Sequence, residues 1–352
     1  MSGARSESRF GFSGALAIGA MVLGGAAVAR AFARSRRRFE LRGRVALVTG
    51  GSRGLGLVLA RELAREGATV AICARDEAEL ARARADLRAA GVDVLALPCD
   101  VRVREEVDAM LDELRERLGP VDVLINNAGV IQVGPAEEMT LEDYEEALRV
   151  HFWGPLYITD GVLPEMRRRG AGRIVNIASV GGKISVSHLL PYCASKFALV
   201  GFSEGLRGAL AKDGIYVTTV CPGLMRTGSP RNAWFKGQHR EEYAWFSISD
   251  AMPLVSMAAR RAARRILEAC GDGDAELVMP FNTLIAVKLN ALFPGAGAGL
   301  MSVAERLLPG PGGIGPWMKR GAESESAWAP SVLTTLGDRA AVRNNEVQAE
   351  PV

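Results

Sequence analysis

Three residues in the second half of the chain have the types and spacing for proton chemistry at an oxygen atom. Tyr192 and Lys196 stand four apart in a helical pattern, so one helix face carries both. An ammonium beside a phenol lowers the phenol's pKa and lets it serve as a general acid/base. Ser179 stands thirteen residues before Tyr192, just after the apolar run Arg173-Ile174-Val175-Asn176-Ile177, where a hydroxyl can hold a substrate oxygen. Each residue also has a plainer reading: Ser179 as a turn hydroxyl, Tyr192 as a buried aromatic, Lys196 as a solvated helix charge.

The elements that must position them alternate. Short apolar runs at 44–48, 69–74, 92–97, 121–125, 173–177, 215–220 and 275–279 read as buried strands, with helix-length periodic stretches between most of them. That alternation predicts an α/β, doubly wound domain with a mostly seven-stranded parallel sheet, binding its ligands beyond the carboxyl ends of the strands. Between the first strand and its helix stands Thr49-Gly50-Gly51-Ser52-Arg53-Gly54-Leu55-Gly56, where glycines let backbone approach a pyrophosphate at the helix N-terminus. A tight turn that merely needs glycine is the competing reading, but the strand before it and the amphipathic run 57–66 after it favour dinucleotide binding. At the end of the second strand, where an acid would hold a ribose 2′-hydroxyl, the chain has Arg75. Arg75 and Arg53 could clamp a 2′-phosphate, so NADP is preferred and NAD is the second choice. Asp76 is expected to cap the helix from Glu77.

Five separated motifs together resemble the short-chain dehydrogenase/reductase family, in its single-domain subgroup with TGxxxGxG and YxxxK, over about residues 42–280. They are Thr49 to Gly56; Cys99-Asp100-Val101; Asn126-Asn127-Ala128-Gly129; Ser179 with Tyr192 and Lys196; and Cys221-Pro222-Gly223 followed by Thr227. The resemblance implies a Rossmann fold and hydride transfer between a nicotinamide and a carbonyl or secondary alcohol. It implies a cofactor cradle of Gly50, Ser52, Arg53, Gly54, Leu55 and Gly56, Asp100 and Val101 flanking the adenine, and Asn127 near a ribose. It further implies that Gly223 to Thr227 cover the carboxamide, and that Lys196 grips the nicotinamide ribose beside Tyr192. Where the family carries an asparagine that props a relay water, this chain has His151. An imidazole can take over that relay with an added pH dependence, or be only a packed helix residue. A catalytically impaired nucleotide-binding scaffold of the same fold is the alternative function, motivated by His151 and the C-terminal extension. Sugar-nucleotide epimerase or dehydratase chemistry is opposed by the glycine spacing and by the short region after Thr227.

The remaining segments set partners and location. Composition is ordinary for a globular chain of 352 residues at 48% hydrophobic and 24% charged, which excludes a disordered or multi-span membrane protein. The first 44 residues hold nine Arg and two Glu, so basicity is local and nucleic-acid binding is not expected. Five cysteines without CxxC pairing read as reduced, buried thiols, and no metal site is expected. Residues 10–29 are uncharged and long enough to span a bilayer once, with arginines following. Residues 1–41 are therefore a membrane-anchor candidate with a hydrophobic helix, leaving the catalytic body cytoplasmic. A cleaved signal, a peripheral tail and a soluble cytoplasmic chain are the competing readings. Residues 42–280 form the catalytic domain, with a lid at about 228–260 whose Trp234, Phe235, Tyr243, Trp245 and Phe246 suggest an apolar pocket for a lipophilic substrate, or else pack the lid itself. Residues 281–308 are an apolar extension interrupted at Pro294, a docking, dimer or shallow membrane element, so a homo-oligomer is compatible. Residues 309–352, rich in Pro and Gly at their start, read as a flexible tail.

Overall fold

All seven apolar runs become strands of one parallel sheet: β1 Val45–Thr49, β2 Thr69–Ala74, β3 Val94–Pro98, β4 Val123–Asn126, β5 Gly172–Ile177, β6 Ile215–Pro222 and β7 Glu276–Met279. The computed structural model describes residues 34–347. Strand order is β7-β6-β5-β4-β1-β2-β3, and every neighbouring pair runs parallel. Winding reverses between β1 and β4, which opens a crevice at their carboxyl ends.

The two-residue period of a strand sends neighbouring side chains to opposite faces, and both faces are covered. Val48, Ile72 and Ile125 pack under α1 Gly54–Arg65, α2 Glu77–Ala89 and α8 Ala259–Asp272, through Leu57, Leu63, Leu80, Leu87 and Ile266. Leu47, Ala71 and Leu124 face α3 Arg104–Leu118 and α5 Gly154–Arg169, through Leu111, Leu114, Ile158 and Met166. α4 Leu141–Leu148 runs through a π-helical turn, Arg149–Trp153, into α5, and the long α6 Leu190–Leu210 follows β5. Asp76 caps α2 as expected, its carboxylate accepting the Glu79 N–H at 2.8 Å. All five cysteines are buried and unbridged.

The segment expected to form a lid contains α7 His239–Ala251, and three of its five expected pocket rings are buried. Phe235, Tyr243 and Phe246 are buried in one cluster with Val133 and Leu189, with ring centroids 5.4 and 6.0 Å apart along Tyr243–Phe235–Phe246. Of the two readings of these rings, packing fits Phe235, Tyr243 and Phe246, while Trp234 and Trp245 stay partly exposed. Beyond β7, α9 Phe281–Leu292 and α10 Pro294–Glu305 are bent by 117° and expose Phe281, Leu292, Leu300 and Val303. No single helix among the described residues is long and apolar enough to cross a membrane. The anchor candidate at 10–29 lies outside the described residues.

The tail expected to be flexible from 309 is instead folded back along the lid. Lys319–Arg320 pairs antiparallel with Trp234–Phe235, and α11 Thr335–Arg343 lies against the segment after β6. Its glycines suggested flexibility, but here they permit close backbone contact. A Cβ on Gly313 would fall 2.4 Å from the Gly237 carbonyl oxygen, and across the contact one on Gly228, in the segment after β6, would fall 2.3 Å from Ala341 Cα.

Candidate active site

The glycine loop is shaped by contacts that no larger residue permits. Gly50 has φ +61°, and a Cβ on Gly56 would lie 2.0 Å from the Gly50 carbonyl oxygen. Asn127 ties this loop to the end of β4, its amide Nδ2 donating to the Thr49 and Gly50 carbonyls at 2.9 and 3.2 Å. Thr49 Oγ1 in turn accepts the Asn127 and Ala128 backbone N–H groups at 2.9 and 3.0 Å. Loop, helix start and strand ends thus form the close-approach cradle a dinucleotide pyrophosphate requires.

Around the cradle the arginines are held by acids. Arg53 Nη1 meets Glu79 Oε1 at 2.7 Å, Ser52 Oγ donates to Glu79 Oε2 at 3.1 Å, and half-exposed Arg75 lies 3.9 Å from Glu146. Asp100 turns its carboxylate to Arg102, which holds it below the usual carboxylate range against the opposing effect of burial. Val101 is buried beside it, its side chain 3.0 Å from where a Cβ on Gly154 would stand. The Leu55 side chain is buried in the core cluster under α1. Gly223 donates its N–H to the Met279 carbonyl at 2.7 Å, and buried Thr227 accepts the Ser229 N–H on Oγ1 at 3.2 Å.

Ser179, Tyr192 and Lys196 come together at the carboxyl end of β5. Ser179 Oγ accepts the Gly181 N–H at 3.0 Å, opening a turn that is followed by α6. α6 carries Tyr192 and Lys196 on one face, with Lys196 Nζ 5.6 Å from the Tyr192 ring centroid. Lys196 donates to the Ile177 carbonyl at 2.9 Å, and burial pushes its pKa down to about 7. Burial also pushes the Tyr192 phenol up to about 12, against an opposing hydrogen bond with Ser179. Removing water from both groups disfavours each charged form, which opposes the lowering of the phenol expected from the ammonium.

His151 is fully buried in the π-helical turn, and both ring nitrogens are engaged. Nε2 accepts the Val130 N–H at 3.1 Å. Nδ1 meets Ser195 Oγ at 2.7 Å, and that hydroxyl donates to the Tyr192 carbonyl at 2.8 Å, so the proton belongs on Nδ1. Burial, aided by the Lys196 charge, pushes the imidazole well below its ordinary value. These two bonds and the lowered pKa fit the packed reading of His151. Its ring meets Tyr192 edge to face at 5.4 Å and packs the helix that carries the phenol.

Sequence reasoning missed the carboxyl-terminal contacts of this site. Asn344, Asn345 and Glu346 lie on the glycine loop, with the Gly54 N–H donating to the Asn344 carbonyl at 2.9 Å. Their sequence signal is slight: two asparagines close a short helical stretch, where asparagine tolerates the left-handed turn.

A glycine cradle at a helix N-terminus and a serine, tyrosine and lysine converging at the same strand ends are the arrangement of a dinucleotide-dependent oxidoreductase. The family model for short chain dehydrogenase matches residues 44–236. A protein named as a candidate ketoacyl reductase in Streptomyces coelicolor is 46% identical over 185 residues, 52% of this chain and 71% of that one. Human 17-beta-hydroxysteroid dehydrogenase 13 is 34% identical over 202 residues, 56% of this chain and 67% of that one. Among solved structures, an actinorhodin polyketide ketoreductase with NADPH matches at TM-score 0.61 and 37% identity, over 67% of this chain and 95% of that one. L-sorbose reductase from Gluconobacter frateurii, complexed with NADPH and L-sorbose, matches at TM-score 0.61 and 26% identity, over 68% and 97%. The chain belongs to the short-chain dehydrogenase family. It is an oxidoreductase of CH–OH and C=O groups that takes a nicotinamide cofactor and a small-molecule substrate.

Proposed function

We propose that the protein is an NADP(H)-dependent reductase of lipophilic carbonyls, with Tyr192 as its general acid. The observation that carries this reading is the convergence of Ser179, Tyr192 and Lys196 at the carboxyl end of β5, with Lys196 Nζ 5.6 Å from the Tyr192 ring centroid and the phenol protonated at neutral pH. A group that starts protonated can deliver its proton to a developing alkoxide, which is the need of a carbonyl reduction. The nicotinamide, when bound, supplies the hydride. Ser179 orients the substrate oxygen, Lys196 holds the cofactor ribose from the Ile177 side, and His151 with Ser195 fixes the helix bearing Tyr192.

Arg53 and Arg75 favour NADP because both flank the loop and both already pair with carboxylates, Glu79 and Glu146, which a 2′-phosphate could replace. Asp100 and Val101 border the adenine end, and Gly223 to Thr227 border the nicotinamide end. Lipophilic substrates are supported by the exposed apolar faces of α9 and α10. α10 meets the loop before Tyr192 through Ser187 Oγ, 3.4 Å from the Met301 carbonyl, and His188 Nε2, 3.3 Å from Glu305. The test is NADPH and NADH oxidation over long-chain, steroid-like and small polar carbonyls. Faster turnover of long-chain or steroid-like compounds with NADPH is expected; preference for small polar carbonyls would remove the lipophilic assignment, and preference for NADH the NADP assignment.

A further inference from the structure

The helix N-terminus that a dinucleotide would use is already engaged by the chain itself. The first N–H groups of α1 are orphan donors, and the helix dipole favours negative charge there. Gly54 N–H donates to the Asn344 carbonyl oxygen at 2.9 Å. A Cβ on Gly54 would lie 2.5 Å from Glu346 Oε1, so a carboxyl oxygen sits directly over the turn. Glu346 is buried, accepts Asn232 Nδ2 at 2.7 Å and lies 3.5 Å from Arg53 Nε. A carbonyl and a carboxyl thus stand where phosphate oxygens would be received.

The contact is built rather than incidental. α11 ends in a turn with Asn345 at φ 58°, and the Glu346 N–H bonds back to the Ala341 carbonyl at 2.9 Å, which doubles the chain over toward the loop. Asn345 Nδ2 donates to the Ser52 and Glu79 carbonyls at 2.8 and 3.2 Å, while Arg82 Nε holds its Oδ1 at 3.1 Å. Asn344 Nδ2 reaches the Thr227 carbonyl at 3.1 Å, and Arg61 Nη2 the Arg343 carbonyl at 3.0 Å. One short segment therefore joins the glycine loop, the helix after β2 and the segment after β6.

We propose that residues 343–346 are an autoinhibitory occupant of the pyrophosphate end of the cradle and must leave before a dinucleotide binds. The inference rests on the reading of the glycine loop as the NADP(H) site. The Gly54 N–H cannot serve both ligands, and the Glu346 carboxyl leaves no room for a phosphate over Gly54. Because the segment is tethered, its local concentration stays high whatever the protein concentration. Apparent cofactor affinity falls by the fraction of molecules whose segment is released, so release in about one molecule in ten weakens binding about tenfold.

The test uses the full chain and NADPH as the probe. In the unmodified protein, NADPH should raise amide hydrogen exchange across 335–347 while lowering it across 50–56. Asn345→Ala with Glu346→Ala should tighten the NADPH Kd about tenfold, by the same population argument. Arg82→Ala, which loosens Asn345 from outside the loop, should tighten it by a smaller factor and guards against misfolding of the double variant. Protection of 335–347 by NADPH would overturn the proposal, making the segment a strap that closes over cofactor. Unchanged or weaker binding in folded variants would overturn it too. If neither NADPH nor NADH bound any form, the cofactor reading itself would fall, and this inference with it.

Discussion

The cofactor cradle and the proton-transfer centre lie at the same strand ends but are stabilised in opposite ways. The centre is fixed from beneath: Lys196 holds the end of β5, and His151 and Ser195 brace α6 through buried, fully paired hydrogen bonds. The cradle, tied to β4 by Asn127, is also held from above, by a segment that arrives from nearly three hundred residues further along the chain, Asn345 onto Ser52. A brace from beneath can stay in place during turnover; one from above must yield. One half of the site is therefore preorganised, and the other is gated.

Removing the proton donor should have the largest effect. Tyr192→Phe should lower kcat by about 10²- to 10⁴-fold with NADPH binding retained, measured by steady-state rates and fluorescence titration. Retained turnover would move the acid elsewhere. Arg75→Ala should next reduce kcat/KM with NADPH about tenfold or more and leave NADH nearly unchanged, the worth of one charge-assisted hydrogen bond. An unchanged preference would sink the phosphate clamp.

The brace beneath is sharpened by His151→Ala, which strips partners from the Val130 N–H and Ser195 and should cost about 2–4 kcal/mol of stability in denaturant unfolding. Wild type should show no activity inflection from this imidazole near pH 6.5, since burial keeps it neutral. An inflection abolished by the substitution would reinstate it as a titrating relay.

The smallest effect concerns pH at the gate. Burial pushes the Glu346 carboxyl up to about 7, with Arg53 opposing and Glu79 adding to the rise, while Asp250 faces it and is itself raised to about 7. The docked carboxyl thus keeps a proton that the released one gives up above its ordinary value of 4.5. Docking is strongest below that value and weakens as pH rises to about 7, then levels off. NADPH affinity of the full chain should accordingly rise several-fold from pH 6 to 8 relative to Glu346→Gln, in which Asp250 and Lys196 titrate as before. Equal slopes in both proteins would remove Glu346 from the gate.

What the sequence made legible follows the same division. The strands, the glycine loop and the Tyr192–Lys196 pair are written in contiguous or fixed local spacing, so period and turn chemistry disclose them. His151 was visible as a departure, but its neutrality depends on burial and on Ser195, which spacing does not convey. The lid aromatics are ambiguous because rings that line a pocket and rings that pack a lid have the same composition. Asn344 to Glu346 were hidden because a Pro/Gly-rich approach lacks periodicity, and because nothing local marks a segment whose partners are distant.

The start of the described chain has its own consequence. Arg34 pairs with Asp274, the Arg37 carbonyl takes Arg173, and the Phe39 N–H bonds to the Gly271 carbonyl, all just before or at the first residues of β5 and β7. Tyr192 and the glycine loop lie at the other ends of these strands, about 20 Å away for a strand the length of β5. The described chain therefore begins on the side of the sheet opposite the strand ends that carry the site. A probe attached at Arg34 would therefore sit on the far side of the sheet from the reaction mouth and leave it open to substrates and cofactor.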